Sequence, residues 1–132
     1  MNEWVLTDVS LVVRKADLDP GEVTERLGLQ PTAVRAPGAD RWGPPGETDG
    51  QWRLTSDERT ARILPDQLRE ILSAAEGCEQ ELHALQREGC TVSLAVYGFA
   101  GHGARIFLPA DTVSRLARLG FPLTVTPNLN DR

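Results

Sequence analysis

Cys78, His83, Cys90 and His102 are the chain's thiols and imidazoles, the groups that bind zinc or act as nucleophile and base. A zinc site draws on about four such ligands, with two held as a close pair such as C-x2-4-C. Cys78 and His83 stand five residues apart, which on a continuous helix separates them by about 140° around the axis. No other pair has ligand spacing, so neither a metal nor another cofactor is expected. His102 sits in Gly101-His102-Gly103, on a loop of the kind that carries functional groups, and its imidazole titrates near neutral pH. No Gly-x-Ser-x-Gly, His-Glu-x-x-His or reactive-cysteine context accompanies it, so it reads first as a solvated turn residue and no catalytic residue is assigned. Gly98-x-x-Gly101-x-Gly103 is a poor phosphate cradle. A dinucleotide fingerprint opens a helix, whereas a further strand is expected here.

The remaining chemistry is recognition. Arg35, Arg41 and Trp42 lie in a stretch rich in proline and glycine, with Trp52 and Arg53 just beyond it. Tryptophan and arginine dominate binding hot spots, and the guanidinium fork holds a carboxylate or phosphate with two parallel hydrogen bonds. Trp52 shares strand parity with Leu54 and reads as core. Arg35, Arg41, Trp42, Arg53 and His102 are the candidate binding residues. Glu76, Glu79, Glu81 and Glu88 crowd one segment, which reads as a solvated helix face, with steering of a basic partner as the sharper alternative.

Composition narrows the classes. The chain has 132 residues and a formal net charge of −5, with 40% hydrophobic and 25% charged residues, near the averages for one globular domain, here spanning residues 1–132. The acidic balance, with three Trp, three Phe and one Tyr, argues against a nucleic-acid or anionic-membrane partner. The N-terminal residues lack a basic segment followed by an apolar one, two cysteines fit a reducing compartment, and no stretch spans a bilayer. A cytoplasmic protein is expected. Thirteen arginines against one lysine point to a bacterial genome of high GC content.

Periodicity supplies the frame. Residues 3–14 read as a strand with apolar residues on both faces. Asp19, Pro20 and Glu22 mark a helix start with a capping box, Val23 and Leu27 face inward, and Gly28 stops the helix. Residues 30–50 read as a long loop and residues 51–55 as a short strand. Leu64, Leu68, Ile71, Ala75, Cys78, Leu82 and Leu85 form a helical stripe, with a break expected at Gly77 and an end at Gly89. Val92, Leu94 and Val96 alternate as a strand, with Arg105–Leu108 as its hairpin return. Pro109 opens a helix with Val113, Leu116 and Leu119 inward, and Gly120 closes it. Phe121, Leu123 and Val125 form the last strand, ended by Pro127, with a frayed tail over 128–132. This order predicts an α+β two-layer sandwich, a mixed sheet of about five strands with three to four helices packed on it.

Asp17-Leu18-Asp19-Pro20, Leu27-Gly28-Leu29-Gln30-Pro31-Thr32, Trp52-Arg53-Leu54 and Leu116-Ala117-Arg118-Leu119-Gly120 carry a resemblance. The chain resembles the bacterial family described as domain of unknown function 4279 over nearly its whole length, except that Thr126-Pro127-Asn128-Leu129 stands where that family ends on an acidic and an aromatic residue. The resemblance implies one small cytoplasmic domain and carries over no catalytic residue. The expected function is a non-enzymatic module that binds another protein, an immunity or accessory factor being one form of it. The alternative is a small-ligand binder or minor enzyme with a pocket between the 30–50 loop and the Gly101–Gly103 turn. A homodimer through a sheet edge or the striped helix is a further option.

Overall fold

A computed structural model describes residues 5–38, 49–100 and 105–129. In chain order these form β1 (Val5–Lys15), α1 (Pro20–Leu27), β2 (Ala33–Arg35), β3 (Gly50–Thr55), α2 (Leu64–Gly77), α3 (Glu79–Arg87), β4 (Thr91–Ala100), α4 (Ala110–Leu119) and β5 (Leu123–Leu129). The strands make one mixed sheet in the order β2-β3-β1-β4-β5, with β4 and β5 parallel and the other neighbours antiparallel. The expected α+β sandwich is therefore found.

Alternation sorts each strand's residues between two faces. Val9, Leu11 and Val13 of β1, Trp52 of β3, and Val92, Leu94 and Val96 of β4 share one face and one core with the helices. α1 contributes Val23 and Leu27, α2 Leu68, Ile71, Leu72 and Ala75, α3 Leu82 and Leu85, and α4 Leu119. Trp52 is fully buried, and its indole N–H donates to Thr24 Oγ1 at 3.0 Å, so the core reading of this tryptophan holds. Burying so large a side chain requires a partner for its single donor, and α1 supplies it.

Local signals explain the helix ends. Asp19 Oδ1 accepts from Gly21 N–H at 3.0 Å, Pro20 opens α1, and Gly28 closes it at φ 70°. Glu22 makes no reciprocal bond to Asp19 among the described residues, so this is a single-sided cap. The stripe from Leu64 does divide: Cys78, at φ −130°, separates α2 from α3 immediately after Gly77. Gly50 is a glycine of necessity. A Cβ there would lie 2.7 Å from Leu18 O and 2.8 Å from Leu18 Cβ.

An irregularity between Val5 and Asp8 shifts the pairing of β1 with β4. Thr7 lies in it, and Gln67 of α2 takes up its polar groups: Gln67 Nε2 donates to Thr7 O at 2.8 Å while Thr7 Oγ1 donates to Gln67 Oε1 at 2.7 Å. A carbonyl released from the ladder is thereby satisfied by a buried side chain.

Four expectations are corrected. The 30–50 stretch is not wholly irregular, because Ala33–Arg35 pairs with β3 as an edge strand. The hairpin return at Arg105–Leu108 does not form; only Arg105 makes an isolated bridge. β4 already has β1 on one edge and β5 on the other, leaving no edge for a third strand. In α4 the inward stripe is Thr112, Leu116 and Leu119, while Val113 is 50% exposed. Pro127 does not end β5, which continues to Leu129. Leu94 N–H donates to Pro122 O at 2.9 Å, so in a parallel ladder residues 124 and 126 bond to β4 and Pro127 faces outward. There a missing N–H breaks no pair.

Candidate binding face

No described helix packs on the second face of the sheet. β1 directs Asp8, Ser10, Val12 and Arg14 to it, β3 directs Gln51, Arg53 and Thr55, β4 directs Ser93, Ala95 and Tyr97, and β2 directs Arg35, as the registers Ser10↔Thr55, Ser10↔Ala95 and Arg35↔Gln51 require. The polar parity of the sheet is thus gathered on one surface.

Arg53 occupies its centre. From β3 its side chain crosses β1 to place Cζ 5.6 Å from the centroid of the Tyr97 ring on β4. On the way Nη1–H donates to Ser10 Oγ at 3.3 Å, and Ser10 Oγ lies 2.9 Å from Thr55 Oγ1. Ser10, Val12 and Ala95 are buried on this same face, and long amphipathic side chains such as Arg53 and Tyr97 cover surface that they lie along. Asp8 pairs across the strands with Tyr97. Burial raises its carboxyl above the ordinary value, and the Arg53 charge partly opposes that shift.

At the β2 side of this face Arg35 donates from Nε to Asp49 O at 3.1 Å and from Nη2 to Asp49 Oδ1 at 2.9 Å. Arg14 lies 3.9 Å from Asp49 Oδ2. Among the described residues the face therefore presents Arg14, Arg35 and Arg53 beside Asp8 and Asp49, one positive charge in excess.

Of the candidate residues, the structure brings Arg35 and Arg53 onto this one face. Arg41, Trp42 and His102 lie outside the described residues. Asp8, Ser10, Arg14, Thr55 and Tyr97 escaped notice in the sequence. Each sits on the polar parity of its strand, a signal that becomes a site only when the strand order is known.

Three of the four glutamates of the acidic cluster bond to arginines of this chain. Glu76 Oε1 accepts from Arg115 Nη2 at 2.8 Å, joining α2 to α4, and Arg26 of α1 reaches both Glu88, at 2.7 Å, and Glu81, at 3.3 Å, on or beside α3. These arginines hold the Glu76 and Glu88 carboxyls below their ordinary range. Cys78 and Cys90 are free thiols that burial pushes upward, away from the reactive thiolate. His83 stacks on Phe121 with ring centroids 4.6 Å apart. Among the described residues no group of three or more His, Cys, Asp or Glu side chains could hold a metal. A polar crevice lies beside Lys15, Asp19, Arg26 and Cys90. No helix among the described residues is long and apolar enough to cross a membrane.

A family model described as Domain of unknown function (DUF4279) matches residues 3–130. The chain belongs to this family. The match covers the whole sheet and every helix, so the Arg53 face lies within the family domain. No curated protein and no solved structure matches the chain. The family description assigns no activity, which leaves the residues themselves as the guide to function.

Proposed function

We propose that this member of the DUF4279 family is a non-enzymatic, cytoplasmic module of a high-GC bacterium that binds another protein, as an immunity or accessory factor would. The observation that carries this reading is the sheet face on which no described helix packs, where Arg53 lies against Tyr97 in the middle of a polar surface that carries three arginines and two aspartates among the described residues. Arginine and tyrosine are the residue types that anchor protein interfaces, and a broad sheet face suits a partner's surface better than a metabolite.

Site-directed photo-crosslinking in the native host tests it. A Tyr97→p-benzoylphenylalanine variant is expected to capture a discrete protein that the same group at Ala117, on the exposed side of α4, does not capture. Addition of Arg53→Ala to the Tyr97 variant should abolish the crosslink. Equal capture from both positions, or none from Tyr97, overturns the reading.

A further inference from the structure

Four arginines among the described residues are half-buried: Arg26, Arg35, Arg53 and Arg115. Three of them have a carboxylate within 4.0 Å, namely Arg26 with Glu81 and Glu88, Arg35 with Asp49, and Arg115 with Glu76. Arg53 is the fourth, and no carboxylate within that distance accompanies it among the described residues. Its bonds there are one to a neutral serine hydroxyl and one stacking contact to a neutral ring. The Arg53 charge is felt at Asp8, but the two form no ion pair within 4.0 Å. A guanidinium that is half-desolvated and only partly hydrogen-bonded gains most from a planar, two-pronged acceptor.

We infer that the carboxylate missing from Arg53 is supplied by the partner, and that the sheet face receives an acidic segment whose Asp or Glu side chain docks on the Arg53 fork. This inference rests on the protein-binding reading and specifies the partner's chemistry. The Tyr97 ring face lies beside the guanidinium, with Cζ 5.6 Å from the ring centroid. Ser10 takes one N–H of Nη1, and among the described residues no other hydrogen-bond acceptor engages the fork. Val12 and Ala95, buried on the same face, make the surroundings less polar, which strengthens such a pair. Arg14 and Arg35 widen the positive field that draws an acidic segment onto the face.

The test is an NMR titration of the full chain that follows the Arg53 Nε–Hε resonance. Capped hexaglutamate is the probe, with hexaglutamine and inorganic phosphate as comparisons. Hexaglutamate is expected to shift Arg53 Nε–Hε together with the amides of Ser10, Thr55 and Tyr97. Affinity should fall about fivefold or more between 50 and 500 mM salt, and Arg53→Lys, which keeps the charge but loses the fork, should weaken it about tenfold. Equal shifts with hexaglutamine, or phosphate binding as strongly at the same residues, overturns the inference. So does an Arg53 resonance that ignores hexaglutamate but moves on Asp40→Asn or Glu47→Gln, since the carboxylate then belongs to this chain. If Tyr97 crosslinks a partner that Arg53→Lys binds equally well, protein binding stands and the acidic segment does not.

Discussion

Trp52 and Thr24 join the sheet to the first helix through one hydrogen bond, indole N–H to hydroxyl oxygen, while Thr24 Oγ1 itself donates to Pro20 O at 3.2 Å. The hydroxyl thus passes the bond from the middle of β3 to the first turn of α1. Trp52→Phe removes the donor and shrinks the side chain, and a loss of about 1–3 kcal/mol is expected. Urea unfolding of the two proteins measures it. A Thr24→Val change made in the Trp52→Phe background should then cost less than the same change in the wild type, as expected for residues sharing one bond.

Gly50 admits no side chain because Leu18 O and Cβ lie against it. Gly50→Ala forces the start of β3 from the β1–α1 connection and should destabilise the fold by about 1–3 kcal/mol. Thermal unfolding reads this directly. Gly77→Ala is the control, since a Cβ at that position meets nothing within 4 Å, and it should be neutral or slightly stabilising.

Asp8 gives the Arg53 face a pH signature. Its carboxyl pKa is raised in the folded protein, chiefly by burial, so the folded state favours the protonated form. The charge therefore costs stability as pH rises through the ordinary value of 3.8 towards the raised one, and that cost is constant above both. Asp8→Asn should raise Tm at pH 7, and the gain should vanish below pH 3.8. A variant that is less stable than the wild type at pH 7 would show that attraction to Arg53 outweighs burial.

The helical layer carries the opposite dependence. Arg115 holds the Glu76 carboxyl below its ordinary value of 4.5, so the pair's contribution is present above that pH and lost as pH falls through the lowered value. A double-mutant cycle with Glu76→Ala and Arg115→Ala should give a coupling of about 0.2–1 kcal/mol at neutral pH, as for an exposed pair. In 0.5 M salt it should shrink.

Much of this fold is legible one segment at a time. Asp19-Pro20 and Gly28 mark the two ends of α1 because caps are local chemistry, and the parity of Trp52 with Leu54 places it in the core. Segments whose fate depends on distant strands mislead. Ile106, Phe107 and Leu108 alternate like a strand, with Phe107 75% exposed and its neighbours packed on the core, yet the edge they would need is occupied by β5. Ala33–Arg35 has too little apolar character to announce a strand and becomes one only beside β3. The binding face is legible for the same reason only in pieces. Arg53 stands out by residue type, but Tyr97 and Ser10 reach it across β1 through an order of strands that no local pattern encodes.

The placement of β1 has a consequence for synthesis. β1 precedes both of its partners in sequence yet is the centre of the sheet, paired with β3 on one edge and β4 on the other. As the polypeptide leaves the ribosome, Val9, Leu11, Val12 and Val13 emerge with both edges unpaired, and they stay half-paired until residues 91–100 follow. Folding must therefore wait for contacts far apart in sequence, and in that interval the nascent strand is the segment most exposed to pairing with another chain.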